Sequence, residues 1–180
     1  MARPKKRQST LSPEDWLNGG LELLAKAGPS AMTVAQLARY LGVTRGSFYW
    51  HFKTVPQYQE ALFNHWHAKL IRVVAGDAKT AASPMEELLR LIASRDLPKY
   101  DHAIRSWAKT NPLAAKAIDQ SDKFRLARLT EIFNAGGLNL EEARKRAQAI
   151  VWLAKGAQDE KNLGWRNEVL LDLFTIAMKA

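Results

Sequence analysis

Apolar positions along this chain recur at i, i+3, i+4 and i+7, the spacing that lines one side of a 3.6-residue helix, while strand-like alternation of β-branched residues is absent. Helix start signals repeat as well, each offering a side-chain oxygen to an unpaired backbone N–H. Ser12 precedes Pro13, Glu14 and Asp15; Thr33 precedes Val34; Thr44 precedes Arg45; Ser83 precedes Pro84; Asn139 precedes Glu141 and Glu142. Thr54 is followed three residues on by Gln57, the pattern of a capping box. Gly28, Gly42 and the pair Gly136-Gly137 stand where helices should stop. The expectation is an all-α protein of about nine helices, near 13–27, 34–41, 45–51, 55–75, 84–96, 100–109, 112–135, 140–157 and 166–179. The first three are short and closely spaced, which predicts a small head (11–54) on a larger bundle (55–180) behind a basic arm (1–10).

Charge narrows the choice of partner. The net charge is +9, which favours polyanions, and Arg3, Lys5, Lys6 and Arg7 in the arm are placed to reach a groove or its flanking phosphates. A hydrophobic fraction of 47% is enough for a real core. With no cysteine, disulfides, thiolate zinc sites and cysteine nucleophiles are excluded. No apolar run approaches the ~20 residues that span a bilayer, and no apolar stretch follows the basic start as a signal peptide would require. The expected location is the cytoplasm, at the nucleoid, with no membrane partner.

The segment Thr33 to Phe52, TVAQLARYLGVTRGSFYWHF, is the most informative. Val34, Leu37, Ala38 and Leu41 make one apolar stripe; Gly42 ends that helix, Val43 plugs the turn, and Thr44 is expected to cap a second helix anchored by Phe48 and Phe52. Two short helices around a glycine-containing turn are the helix-turn-helix arrangement. At 100° per residue Gly46, Ser47 and Trp50 face away from the Phe48–Phe52 pair, with Arg45 and Tyr49 on the flanks. Arg45 can donate two hydrogen bonds to guanine O6 and N7, and Gly46 permits close approach. Tyr49, Trp50 and His51 combine phosphate donors with apolar contact to thymine methyls, while Lys53, Thr54 and Thr33 sit at helix starts that suit phosphate oxygens.

From Ser12 to about Phe63 the chain resembles the TetR family of regulators. The likeness lies in Gly28, Thr33-Val34, Leu37-Ala38, Gly42-Val43-Thr44, Gly46, Phe48-Tyr49 and His51-Phe52. The resemblance implies a three-helix head and a fourth helix linking it to an all-helical ligand-binding body that dimerises through its last two helices. It also implies a repressor that grips a palindromic operator as a dimer and is released by a ligand. Two features depart from the pattern. Val55 stands where the family usually has a phosphate-anchoring lysine, so that contact is lost or passed to Lys53. Asn18-Gly19-Gly20 replaces small, alanine-like residues in the first helix, which suggests either close approach of another helix or local fraying.

The body resembles the family weakly. The segment Ala103 to Ala114, followed by Asp122, Arg125 and Arg128, looks like one TetR-type subgroup, and Arg105 with a downstream carboxylate reads best as a structural ion pair. Two stripes suit a dimer interface: Ala143, Ala147, Ile150, Val151 and Ala154 on one helix; Val169, Leu170, Leu173, Phe174 and Ala177 on the other. An effector pocket is expected among the fourth to eighth helices. Its candidates are Trp66, Lys69, His102, Trp107, Phe124 and Trp152, with Phe133, His65 and Asn111 in support.

Catalysis finds little support, since no phosphate loop or nucleophile elbow occurs and the paired glutamates sit at helix starts. No cofactor or metal is implied. The expected partners are double-stranded DNA, a second copy of the chain and a small-molecule effector of unknown identity. Two other readings stay open: a DNA-binding protein of the same fold acting without an effector, in nucleoid or division functions, and a helical module for protein partners.

Overall fold

In the computed structural model, which describes residues 11–75, 96–156, 168–169, 172–173 and 175–176, the regular elements are all helical. They are α1 (Pro13–Ala27), a 3-10 turn (Pro29–Ala31), α2 (Val34–Tyr40), α3 (Arg45–His51), α4 (Val55–Ala75), α5 (Asp96–Ala108), α6 (Pro112–Ala135) and α7 (Leu140–Gly156). The described residues thus hold seven α-helices against the nine expected. The basic arm and nearly all of the helix expected over 84–96 lie outside them; of the one over 166–179, only the six described residues are assigned, all helical. α5 opens at Asp96 rather than at residue 100, because Pro98 in its first turn gives up an N–H that would find no partner there.

The caps explain most boundaries. Ser12 and Asp15 cap each other reciprocally at α1, Thr33 accepts from the Gln36 N–H at 3.2 Å, and Asn139 accepts from the Glu142 N–H at 3.0 Å. Thr44 departs from expectation: it precedes α3, but its hydroxyl makes no capping bond. The N–H of Ser47 is already taken by the Thr44 carbonyl at 3.1 Å, which leaves the hydroxyl outward. Gly42 takes φ 69°, a left-handed conformation that lets the Val43 N–H turn back to the Ala38 carbonyl at 2.9 Å.

α1 is the hub of the head. Trp16, Leu21 and Leu24 are buried beside Leu37 of α2, Phe48 of α3, Leu62 and Trp66 of α4, and Ile104 of α5. The two central glycines are what allow this. A Cβ on Gly19 would overlap the Leu41 side chain, and one on Gly20 would overlap the Tyr58 hydroxyl. Close approach, not fraying, is therefore the reason for the glycines.

A second core forms where α6 meets α7, from Leu129, Ile132 and Phe133 against Ala143, Ala147, Ile150 and Val151. This corrects part of the expected interface. Ala147 and Val151 are consumed inside one chain, because their small size lets α7 lie close on α6. Above this core a charged cluster joins three helices. Arg105 of α5 donates to Asp101 at 2.8 Å and makes a forked pair with Asp122 of α6. Arg125 reaches Asp101 at 2.5 Å and Asp122 at 3.2 Å, and Lys155 of α7 reaches Asp122 at 2.7 Å. Burial pushes the Asp122 pKa up, but hydrogen bonds and charge from Arg105 and Lys155 outweigh it and hold the group below the ordinary carboxylate range. Arg128 stands apart, paired with Glu131 on the surface.

Candidate nucleic-acid interface

α3 is only seven residues long, too short to be stable alone, so its position depends on what its inner side touches. That inner side is aromatic. Phe48 is fully buried, edge-on to Trp16 at 5.5 Å and to Tyr58 at 5.3 Å; Phe52 packs beside it at 5.4 Å. With that stripe inward, helical geometry drives the next residues out. Trp50 is 88% exposed and Tyr49 56%, and Thr44, Arg45 and Gly46 are exposed with them. Ser47 and His51 lie half-buried at the margin.

The chain then turns into α4 through a side-chain clasp. Thr54 accepts from the Gln57 N–H at 3.2 Å, and the Gln57 side chain accepts from the Lys53 N–H at 2.8 Å. This holds Lys53 and Thr54, both exposed, at the start of α4 beside the end of α3. Val55 is half-buried and offers no charge, so Lys53 is the cation at this corner. Thr33 is exposed at the start of α2. The result is an outward-facing short helix bearing two aromatics, an arginine and several hydroxyls, flanked by the starts of α2 and α4. Such a face can enter a major groove and hold the phosphates beside it.

The residues expected to line an effector pocket differ in exposure. Trp66 is fully buried, with the Arg125 guanidinium 5.9 Å from its ring centre, and Trp107 is buried edge-on to Phe63 at 5.4 Å. Both serve the core. Phe124 and Lys69 are half-buried, Phe124 packing beside Leu70. His102 is exposed, and Trp152 is 66% exposed on α7. Among the supporting residues, Phe133 is fully buried in the second core. Asn111 caps α6 through the Ala114 N–H at 3.0 Å and donates to Gln59 at 3.1 Å. His65 contacts Asn18 of α1 at 2.9 Å. Burial, with Lys69 adding to it, lowers the His65 pKa; burial and then Arg125 lower that of His67, which bonds Ser121 at 2.8 Å. An open groove of about 460 Å³ lies on the head, between Leu23 and Ala27 of α1 and Gln36 and Tyr40 of α2.

Of the expected interface residues, Leu173 packs on the second core and Ala154 is half-buried; Leu170, Phe174 and Ala177 lie outside the described residues. Among the described residues of the body, the exposed large apolar side chains include Leu140, Trp152 and Leu153 on α7, and Ile71 and Ile176. Sequence reading missed Tyr58, which joins α4 to both α1 and α3. The one available signal was the glycine pair in α1, since glycine inside a helix implies something large opposite, though not which residue.

Comparison with known proteins agrees with this geometry. Residues 17–54 match the family model described as bacterial regulatory proteins, tetR family. Over 53 residues the chain is 38% identical to the HTH-type transcriptional regulator AcrR of Shigella flexneri, a match covering 29% of this chain and 25% of that protein. The chain therefore spans about a quarter of the length of that curated relative. At the level of fold the likeness runs through nearly the whole chain. A transcriptional regulator from Rhodococcus sp. Rha1 superposes with a TM-score of 0.72 at 19% identity, covering 93% of this chain and 94% of that one. A regulator from Saccharomonospora viridis, solved in complex with choline, gives 0.71 at 15% identity, covering 91% and 95%. The head of the chain thus matches the tetR family model in sequence over residues 17–54, and the chain as a whole shares the fold of solved transcriptional regulators.

Proposed function

We propose that the protein regulates transcription by binding a palindromic DNA operator as a homodimer and that a small molecule in the body releases it. The observation that carries this reading is the division of α3. Its inner aromatic stripe is buried while Tyr49 and Trp50, large rings that would be a liability in water, are exposed beside Arg45. Such a surface asks for a partner with both apolar and acceptor groups at its edge, which a major groove provides. Binding rather than bond-making is the chemistry it supports, in the cytoplasm at the nucleoid.

In this reading Arg45, Gly46, Ser47, Tyr49 and Trp50 meet base edges, and Thr33, Thr44, His51, Lys53 and Thr54 hold phosphates. Arg45→Ala should cost about 1–3 kcal/mol of discrimination at one guanine in each half-site. Lys53→Ala should weaken all duplexes alike and reduce the salt slope by about one. Selection of bound duplexes from a random library, repeated with both variants, checks this; an unchanged Arg45→Ala consensus would move the reading face elsewhere. A wild-type protein indifferent to every duplex at low salt would favour the protein-partner module.

In this reading the dimer contact uses α7 and the residues that follow it in the chain. Trp152 and Leu153 supply an open apolar surface, and the sequence offers Leu170, Phe174 and Ala177 as further candidates. Trp152→Asp is expected to give monomers by light scattering and to abolish cooperative binding to a two-half-site duplex; a persistent dimer would move the contact off α7. Release requires a ligand that favours a state with wrongly spaced heads. α4 and α5 are the levers, since both touch α1 and both continue into the body. The Saccharomonospora structure with choline supports a small-molecule site in this fold. Operator affinity that ignores every metabolite pool would mark a DNA-binding factor working without an effector.

A further inference from the structure

One tyrosine joins the recognition helix to the frame behind it. Tyr58 of α4 is buried, and its ring lies edge-on to Phe52 at 5.0 Å and to Phe48 at 5.3 Å, the two residues that anchor α3. Phe48 in turn meets Tyr49 edge-on at 5.3 Å, and Tyr49 stands on the outward face. Three rings thus run in contact from α4 to the reading surface. Ring contacts alone would leave this stack free to slide, because apolar contact has little directional preference. The Tyr58 hydroxyl removes that freedom by donating to the Trp16 carbonyl of α1 at 3.1 Å. It does so through the gap left by Gly20, where any Cβ would overlap it. Burial raises its pKa far above the ordinary phenol value, so it remains a donor wherever the protein is folded.

We propose that Tyr58 is a positioning residue for DNA recognition: its hydroxyl, seated over Gly20 on the Trp16 carbonyl, fixes where α3 sits against α1 and α4 and so aims Tyr49 and its neighbours. This rests on the reading that α3 enters a groove. Base-edge hydrogen bonds weaken steeply with misalignment, whereas attraction to phosphates is long-ranged. A slipped α3 therefore loses selectivity before it loses affinity for DNA in general.

The experiment uses full-length wild type, Tyr58→Phe, Gly20→Ala and the double variant. The probes are a duplex that wild type selects from a random library and a shuffled duplex of the same composition. Tyr58→Phe is expected to bind the selected duplex about 3- to 10-fold more weakly, the range for losing one neutral hydrogen bond, with the shuffled duplex within twofold and the salt slope unchanged. Gly20→Ala alone should lose more selectivity and stability. Removing the hydroxyl as well should bring both back toward the Tyr58→Phe level, since the added methyl and the hydroxyl compete for the same space. Equal loss on both duplexes would overturn the proposal, as would an unchanged ratio in Tyr58→Phe or a Gly20→Ala variant that the second change does not rescue. If wild type selects no duplex, the groove reading itself has failed; if it selects one and the ratio holds, only the role of Tyr58 has failed.

Discussion

Phe48→Ala is expected to destabilise the head by about 3–5 kcal/mol, the range for truncating a buried phenylalanine. The site cannot relax to fill the gap cheaply. Phe48 is fully buried and touches rings from three helices: Trp16 on α1, Tyr49 and Phe52 beside it, and Tyr58 on α4. Against a total stability of about 5–15 kcal/mol for a domain, that loss is between about a fifth and the whole of it, so operator binding at 37 °C should fall with the folded fraction. Trp50→Ala provides the contrast. Trp50 is two residues on and 88% exposed, so its loss should leave the melting curve nearly unchanged, within about 0.5 kcal/mol, while operator binding falls. Urea denaturation beside duplex titration separates the two. A Phe48→Ala protein as stable as wild type would mean that α3 is held by something other than its aromatic stripe.

Arg105→Ala is expected to cost the body about 3 kcal/mol, the low end for removing one partner of a buried ion pair. The discount reflects the fifth of the Arg105 side chain that reaches solvent. The loss would take the forked guanidinium away from Asp101, almost wholly buried, and from Asp122, and so weaken the charged tie between α5 and α6. Arg105→Lys should recover only part, because an ammonium keeps the charge but not the fork that serves both carboxylates. Acid should act on the same cluster. With the Asp122 pKa held low in the fold, its stabilisation is complete above the ordinary carboxylate pKa and disappears as pH falls through the depressed folded value. Urea midpoints followed from pH 6 to pH 3 should fall steeply for wild type and less for Arg105→Ala. Parallel acid curves would show that the cluster contributes nothing.

Much of the head was legible in the linear order because its signals are local. A cap, a glycine that must turn left-handed and an i, i+4 aromatic pair are each set by neighbours within one helical turn, so Ser12, Thr33, Gly42, Phe48 and Phe52 could be read directly. The outward set on α3 followed from the same periodicity. Where the outcome depended on competition for one group, local reading fell short: the hydroxyl of Thr44 does not cap, because a backbone carbonyl reached the same N–H first.

The body shows the other side of this. An apolar stripe states that a helix must be covered, not by which surface. Ala147 and Val151 carry the small-residue pattern of a dimer seam, yet α6 of the same chain fills it, and the uncovered side of α7 is the one bearing Trp152 and Leu153. Trp66 and Trp107 likewise proved to be core, a choice that turned on what α5 and α6 bring against them. Partners far apart in the chain have no local signature. Tyr58 meets Trp16 across 42 positions and Glu22 meets Tyr100 across 78, and each pairing exists only because α1 is gripped from two sides at once. Short-range order thus wrote the reading helix into the chain, while long-range packing chose which surfaces were left for a partner, since burial is settled by competition among all apolar faces together.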